Sequence, residues 1–402
     1  MTGSSAHTKT TRSVMGRLPT AGAWLWQACR EVYEPIVVFA ATRFGLFLVA
    51  YLGLVLLPVH PGEGHWRAFP GNLFLDGWAR WDSGWYFSIV ERGYYRGPSP
   101  EPNNLPFFPL YPATIKALDF LLHNVALAGI VVSNLAFLLA LVLLHRLVSG
   151  HFGKETAQRT ILLLCVFPFA FFFSAAYSES LLLLLAVGTF YFGERRHWAL
   201  ASLCAMLASA TRLVGLVAAL ALLLTYFKSA NYDRRQIKLD AGWLLLSPLG
   251  LLGYLGFLHS RFGSPLAFAD ATVATWGLRS PLGFILNGEA LGAFSRAGYL
   301  SGKFDFVTGA GVVTGAIFLL ASLAGAWRLR FSYTAFALLV LLVPYAAANL
   351  DSMGRYVIVA FPVFIQVARL LRGGLMTQMA LTVSALLLAL CTVLFANWYW
   401  VG

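Results

Sequence analysis

Apolar runs of bilayer-crossing length recur along almost the whole chain, at 35–57, 125–148, 160–192, 198–227, 241–259, 306–327, 331–348, 356–371 and 378–400. A hydrocarbon core about 30 Å thick takes roughly 20 helical residues to cross. Backbone groups in lipid must find their hydrogen bonds inside the protein, so only helices and closed barrels can span. A barrel needs apolar and polar residues in alternation, and runs such as Leu181 to Leu185 contradict it. With 59% hydrophobic and 11% charged residues, the chain is too apolar for a water-soluble enzyme. Its 37 Gly, 17 Pro and 4 Cys are scattered through Leu, Ala, Val and Phe runs, which removes disordered, collagen-like and disulfide-stapled classes. The reading is an all-α polytopic integral membrane protein.

Two runs are too long for one crossing. The run 160–192 carries a polar break at Tyr177-Ser178-Glu179-Ser180, and 198–227 carries one at Thr211-Arg212. With each break as a hairpin tip, the chain has about eleven short spans. The tail and the short breaks on one side hold about 16 Lys and Arg in roughly 75 residues, against about 8 in roughly 94 for the two long loops. That bias places the N-terminus in the cytoplasm and the long loops outside. The net charge of +12 thus reads as orientation in a cell membrane, not as nucleic-acid binding. The predicted organisation is a cytoplasmic tail, 1–34, and one transmembrane catalytic domain, 35–402. A large first extracytoplasmic loop spans 58–124 and a second long one 260–305. By parity the C-terminus lies outside, with Trp398, Tyr399 and Trp400 as an interface anchor. The stretch 107–122 is read as lying along the outer interface or as re-entrant. The tail has no cleavable signal, and the dispersed cysteines read as packing residues.

Chemistry is sought on the elaborated outer face. There, Gly77-Trp78-Ala79-Arg80-Trp81-Asp82-Ser83-Gly84-Trp85-Tyr86-Phe87 gathers aromatics around one carboxylate, followed by Glu91 and Arg92. Asp82 falls at the start of a predicted helix, where backbone N–H groups would favour its ionised form, with Trp81, Trp85, Phe87 and Ile89 on a face toward the membrane. A carboxylate beside aromatic surfaces suits a general base next to a sugar-binding shelf. It equally suits an ordinary N-cap with an interfacial tryptophan belt. Glu179, Arg212, Asp351 and Arg355 lie at outer helix ends in this topology, where ionisable groups are costly and therefore paired or functional. A Glu179–Arg212 ion pair is one reading. The other is a site for an anionic lipid headgroup, with Arg212 and Arg355 as fork-shaped phosphate donors. The segment Asn103-Asn104-Leu105-Pro106-Phe107-Phe108-Pro109 reads as a rigid turn whose aromatics line a lipid path. The eight histidines show no HxxxH or HExxH spacing, and no phosphate-binding Gly loop occurs.

Arg80-Trp81-Asp82, Ile89-Val90-Glu91-Arg92-Gly93-Tyr94, Asn104 and Phe107-Phe108-Pro109-x-x-Pro112 resemble the first-loop signature of the PIG-V mannosyltransferase family. Phe167-Pro168-Phe169, Phe172-Phe173-Ser174-Ala175-x-Tyr177-Ser178-Glu179-Ser180, Ala210-Thr211-Arg212 and Arg355-Tyr356 resemble the same family in the same order. The resemblance implies a GT-C glycosyltransferase that takes a sugar, with mannose expected, from a polyprenyl-phosphate donor. It places the catalytic base at Asp82. Gly84-Trp85 stands where eukaryotic members have Glu-His, so a GPI precursor is not implied as the acceptor. The implied reaction is inverting transfer to a hydroxyl of a lipid-linked or glycan acceptor. Arg212, Arg355, Lys303 and Arg80 are candidates for the donor phosphate. Trp81, Trp85, Tyr86, Glu91, Asn104, Tyr177, Glu179 and Asp351 are candidates for acceptor or sugar. No cofactor is required, and an acidic cluster leaves room for a divalent metal without implying one. The partners are the donor, the acceptor and membrane lipids. The rival reading is a polytopic lipid or solute transporter or flippase, which would carry its charges at mid-membrane in broken helices related by a repeat.

Overall fold

A computed structural model describes residues 21–60, 65–97, 103–276, 306–346 and 352–401, and every regular element among them is helical. The chain opens with α1 (Ala21–Leu56) and the one-turn α2 (Leu73–Asp76). Next come α3 (Ser83–Arg92) and α4 (Leu110–Leu122), which carry the predicted first loop. Asn124 caps α5 (Val125–Phe152) by accepting from the Leu127 N–H at 2.9 Å. Gly153, at φ 86°, turns the chain sharply into α6 (Lys154–Val166).

The break expected near 177 is broader than a hairpin tip. Phe167 precedes Pro168, which disfavours helical backbone, and adopts an extended conformation (φ −62°, ψ 143°). From there to Ser178 only the 3-10 turn Ala170–Phe173 is regular. Glu179 then opens α7 (Glu179–Glu194). The second break falls where expected: α8 (Trp198–Thr211) ends on Arg212, whose backbone is extended (φ −158°, ψ 155°), and α9 (Leu216–Ser229) follows. A 3-10 segment, Leu239–Leu246, leads into α10 (Leu249–Phe262). Gly250 lets α10 touch α8, because a Cβ there would lie 2.0 Å from the Met206 carbonyl oxygen. The remaining helices are α11 (Ala267–Trp276), α12 (Phe306–Gly325), α13 (Phe331–Ala346), α14 (Met353–Val357), α15 (Phe361–Leu370) and α16 (Leu375–Ala396).

Three of the described helical stretches are long and apolar enough to cross a bilayer, Val32–Leu56, Val125–Phe152 and Leu375–Ala396. A fourth arises if Leu239–Leu246 and Leu249–Phe262, bent by 41°, count as one. Others, such as Trp198–Thr211 and Phe361–Leu370, are apolar but shorter. The main core holds Phe137, Phe171, Phe172, Phe173, Tyr177, Phe361 and Phe395, all fully buried, while Tyr254 and Leu258 of α10 pack in a separate cluster with Leu105 and Phe108.

Two expectations about aromatics are corrected. Trp398 is 6% exposed and packs on Trp66, Trp81 and the Arg80 guanidinium, so the C-terminal residues clamp the first loop rather than anchor an interface. Phe87 and Ile89 are buried in the core, while Trp85 stacks on Phe107 and Trp81 precedes the helix, so these four form no membrane face. The lipid path expected at 107–112 is likewise filled: Phe107, Phe108 and Tyr111 are buried. The exposed large apolar groups of α4, Phe120, Leu121 and Leu122, lie in its last turn.

Candidate active site

The first loop reaches the candidate site through a polar frame. Tyr177, fully buried, donates through its hydroxyl to the Arg80 carbonyl at 3.2 Å and accepts from the Asp82 N–H at 3.2 Å. Its own carbonyl accepts from Ser133 on α5 at 3.0 Å, and Ser133 meets the Tyr111 hydroxyl at 2.7 Å. The Asp82 backbone is therefore tied to α4, α5 and the segment before α7. Tyr86 donates to Ser178 Oγ at 2.9 Å, and burial pushes its phenol up to about 12, so it stays neutral in ordinary buffers.

Asp82 does stand at the N-cap position of α3, but in helical conformation and with no side-chain capping bond. Its carboxylate points elsewhere: Oδ2 accepts from Arg355 Nη1 at 2.5 Å. Arg355 comes from α14, and its Nε donates to Glu179 Oε1 at 2.5 Å. The same oxygen accepts from Arg212 Nη1 at 2.5 Å. The result is a row of alternating charges, Asp82, Arg355, Glu179, Arg212, built from the first loop and three helix ends. Ring faces complete it, with Arg355 over Tyr177 at 4.8 Å and Arg212 over Tyr356 at 5.1 Å.

Two carboxylates and two guanidiniums cancel formally, which makes their burial tolerable. Each buried ion costs several kcal/mol that only pairing offsets. Burial works against the Arg355 cation, but Glu179 and Asp82 outweigh it and hold Arg355 well above the ordinary arginine value. Glu179 is fully buried, and its Oε2 has no hydrogen-bond partner among the described residues. Asp82 and Arg212 keep 18% and 17% of their side chains exposed, so the two ends of the row are reachable while its middle is not. No described group donates to Asp82 Oδ1.

Several expected ligands serve the frame instead. Arg80 is 2% exposed and bonds the Asp76 carboxylate at 2.6 Å and the Ala396 carbonyl at 2.9 Å, so it ties the loop to α16 and presents nothing to a phosphate. Arg355 spends its Nε and Nη1 on carboxylates, which leaves Arg212 as the cation nearer solvent. Asn104 is fully buried and clamps the loop, donating to Ser88 Oγ and the Gly93 carbonyl and accepting from the Tyr95 N–H. Glu91 lies on the other side of α3, in a cleft of about 500 Å³ lined also by Trp66, Gly84, Ser88 and Arg92. Trp81 meets Trp398 and Trp400 edge-on. Lys303 and Asp351 lie outside the described residues. Ser178, Asp76 and Trp398 were not anticipated; only the i,i+4 spacing of Asp76 and Arg80 carried a readable signal. Among the described residues no three His, Cys, Asp or Glu side chains converge.

The helical fold has a solved counterpart. The chain is similar to ArnT from Cupriavidus metallidurans bound to undecaprenyl phosphate, with a TM-score of 0.51 and 15% identity over 89% of this chain and 63% of that one. This likeness concerns the fold alone. At the level of sequence, residues 70–241 match the family model for mannosyltransferase (PIG-V). A curated relative, GPI mannosyltransferase 2 of Yarrowia lipolytica, is 32% identical over 167 residues. The matched part is 41% of this chain and 44% of that relative, so less than half of the relative's length is spanned. The chain is thus PIG-V-like across the segment that holds Asp82, Glu179 and Arg212. Arg355, which joins the two carboxylates, comes from beyond it.

Proposed function

We propose that the protein is an inverting glycosyltransferase that moves mannose from a polyprenyl-phosphate donor to a hydroxyl of a lipid-linked or glycan acceptor at the extracytoplasmic face. The observation that carries this is the placement of Asp82: fixed through its backbone by Tyr177, oriented through Oδ2 by Arg355, and left with one oxygen unengaged by any described group. In this reading Asp82 Oδ1 takes the proton of the acceptor hydroxyl as the oxygen attacks the anomeric carbon. The polyprenyl phosphate departs from the opposite face, so the product has inverted configuration. Fixing the acceptor in line converts an encounter into a near-unimolecular step.

The charge that develops on the leaving phosphate falls to Arg212. One of its nitrogens is held by Glu179 and the rest of the fork is available on its partly exposed side. Arg355 is then a positioning residue that sets the Asp82 carboxylate. The displacement calls for no general acid, because the phosphate leaves as a stable anion, and none of these steps needs a metal. The charges sit at helix ends in one row, which favours transfer over the repeat-related, mid-membrane charges of a transporter. About eleven crossings with the N-terminus cytoplasmic is the topology that accompanies this reading.

The experiment is transfer in vesicles: purified protein, radiolabelled polyprenyl-phosphate mannose and a membrane lipid extract. Labelled product with the anomeric configuration opposite to the donor's is expected. Retention of configuration, or no transfer from this donor by well-folded protein, would remove the proposal.

A further inference from the structure

The other end of the bundle holds a second polar cleft. α7 begins at the ion row with Glu179 and ends with Glu194, which is paired with Arg330. At 1.5 Å per residue those ends lie roughly 22 Å apart. Next to Arg330, a cleft of about 470 Å³ opens between the ends of α12 and α15, lined by Arg328, Gln366, Arg369, Leu370 and Arg372.

Three guanidiniums line one cleft, and among the described residues none of them has a carboxylate partner. Arg369 is held in place, donating to the Arg328 carbonyl at 2.8 Å and lying over Phe152 at 4.8 Å. Arg328 and Arg372 are exposed. Like charges gathered without a counter-ion repel, and an anion reverses the sign of that interaction. Gln366, 3% exposed, packs its Oε1 against Gly325 at the end of α12 and so forms the floor of the cleft. Around the cleft, Trp327, Leu370, Leu375 and Met376 are among the most exposed apolar side chains in the molecule. An exposed tryptophan beside arginines is what a bilayer interface selects.

We propose that this cleft binds a phosphate-bearing anion, with Arg328, Arg369 and Arg372 on the phosphate oxygens. The apolar rim points to a lipid phosphodiester as its source. Arginine clusters at helix ends are suited to anionic head groups, and the guanidinium fork is suited to phosphate. The site stands apart from the ion row and does not depend on what that row catalyses.

The test uses the full chain in phosphatidylcholine nanodiscs, titrated with phosphatidylglycerol and read by native mass spectrometry. A parallel arm titrates inorganic phosphate and follows thermal stability. Saturable retention of phosphatidylglycerol over phosphatidylcholine is expected, weakened about tenfold or more in R328Q/R372Q, equivalent to about 1.4 kcal/mol. R328K/R372K, which keeps charge but loses the fork, should fall between. Should inorganic phosphate bind alone and displace the lipid, the anion site stands and its source is soluble phosphate. If neither ligand binds saturably, or if R328Q/R372Q holds phosphatidylglycerol as well as the unaltered chain does, the site does not exist. R372Q alone, at an exposed position, gives the same readout where the double variant is not monodisperse.

Discussion

Replacing Arg355 with methionine strands two carboxylates at once, and the size of the effect follows from the geometry. Arg355 contacts Asp82 and Glu179 at 2.5 Å each, and Glu179 is fully buried. Deleting one partner of a buried pair typically costs about 3–5 kcal/mol, because the remaining charge keeps its desolvation penalty. Arg212 still compensates Glu179, which places R355M toward the lower end of that range. A second substitution isolates the cause. D82N in the R355M background removes the charge that Arg355 alone had partnered, so a double-mutant cycle should show coupling of about 1–3 kcal/mol in the rescuing direction. Tryptophan fluorescence during denaturant unfolding in mixed micelles measures all four corners. Additivity within about 0.5 kcal/mol would show that the alternating row is not an energetic unit.

Arg212→Lys keeps the charge but loses the second prong, so both donor binding and stabilisation of the departing phosphate should weaken, lowering kcat/KM roughly tenfold with kcat reduced as well. Unchanged kcat and KM would remove Arg212 from the phosphate site. Gly354→Ala would put a Cβ 2.7 Å from the Phe169 ring and displace Arg355 next to it; we expect about 1–3 kcal/mol of destabilisation and reduced turnover, read by thermal inactivation and transfer rate. Arg80→Met leaves Asp76, itself 1% exposed, without its partner, and should sharply lower the yield of monodisperse protein, whereas D76N/R80M should recover part of it. Unchanged yield in R80M would return Arg80 to the list of phosphate ligands.

Much of this was readable in the chain before any coordinates. Hydropathy alone excludes strands, and the polar interruptions at 177–180 and 211–212 locate the two helix ends that carry Glu179 and Arg212. All four members of the charged row were legible as candidates because an ionisable residue at such a position needs a reason. Their pairing was not legible: Arg355 and Asp82 are 273 positions apart, and nothing local in either stretch selects its partner. Asp82 looked like an N-cap since the sequence around it is a good helix start. The left-handed Trp81 (φ 49°) before it and the tertiary pull of Arg355 aim the carboxylate away from the backbone donors. Arg80 and Asn104 looked functional because polar residues in a long loop usually face water, whereas this loop is roofed by Trp398 and turned into core. Span counting is harder for a physical reason, since helices shorter than a bilayer is thick are distinguishable from interfacial ones only by the lipid around them.

The most direct measurement compares sugar transfer by the unaltered protein and by Asp82→Asn, both reconstituted and both shown to be folded. Asparagine keeps the shape and cannot take the proton, so we expect the transfer rate to fall by at least about 10² with donor binding largely retained. Turnover at the unaltered rate in the asparagine variant would mean that Asp82 is not the base.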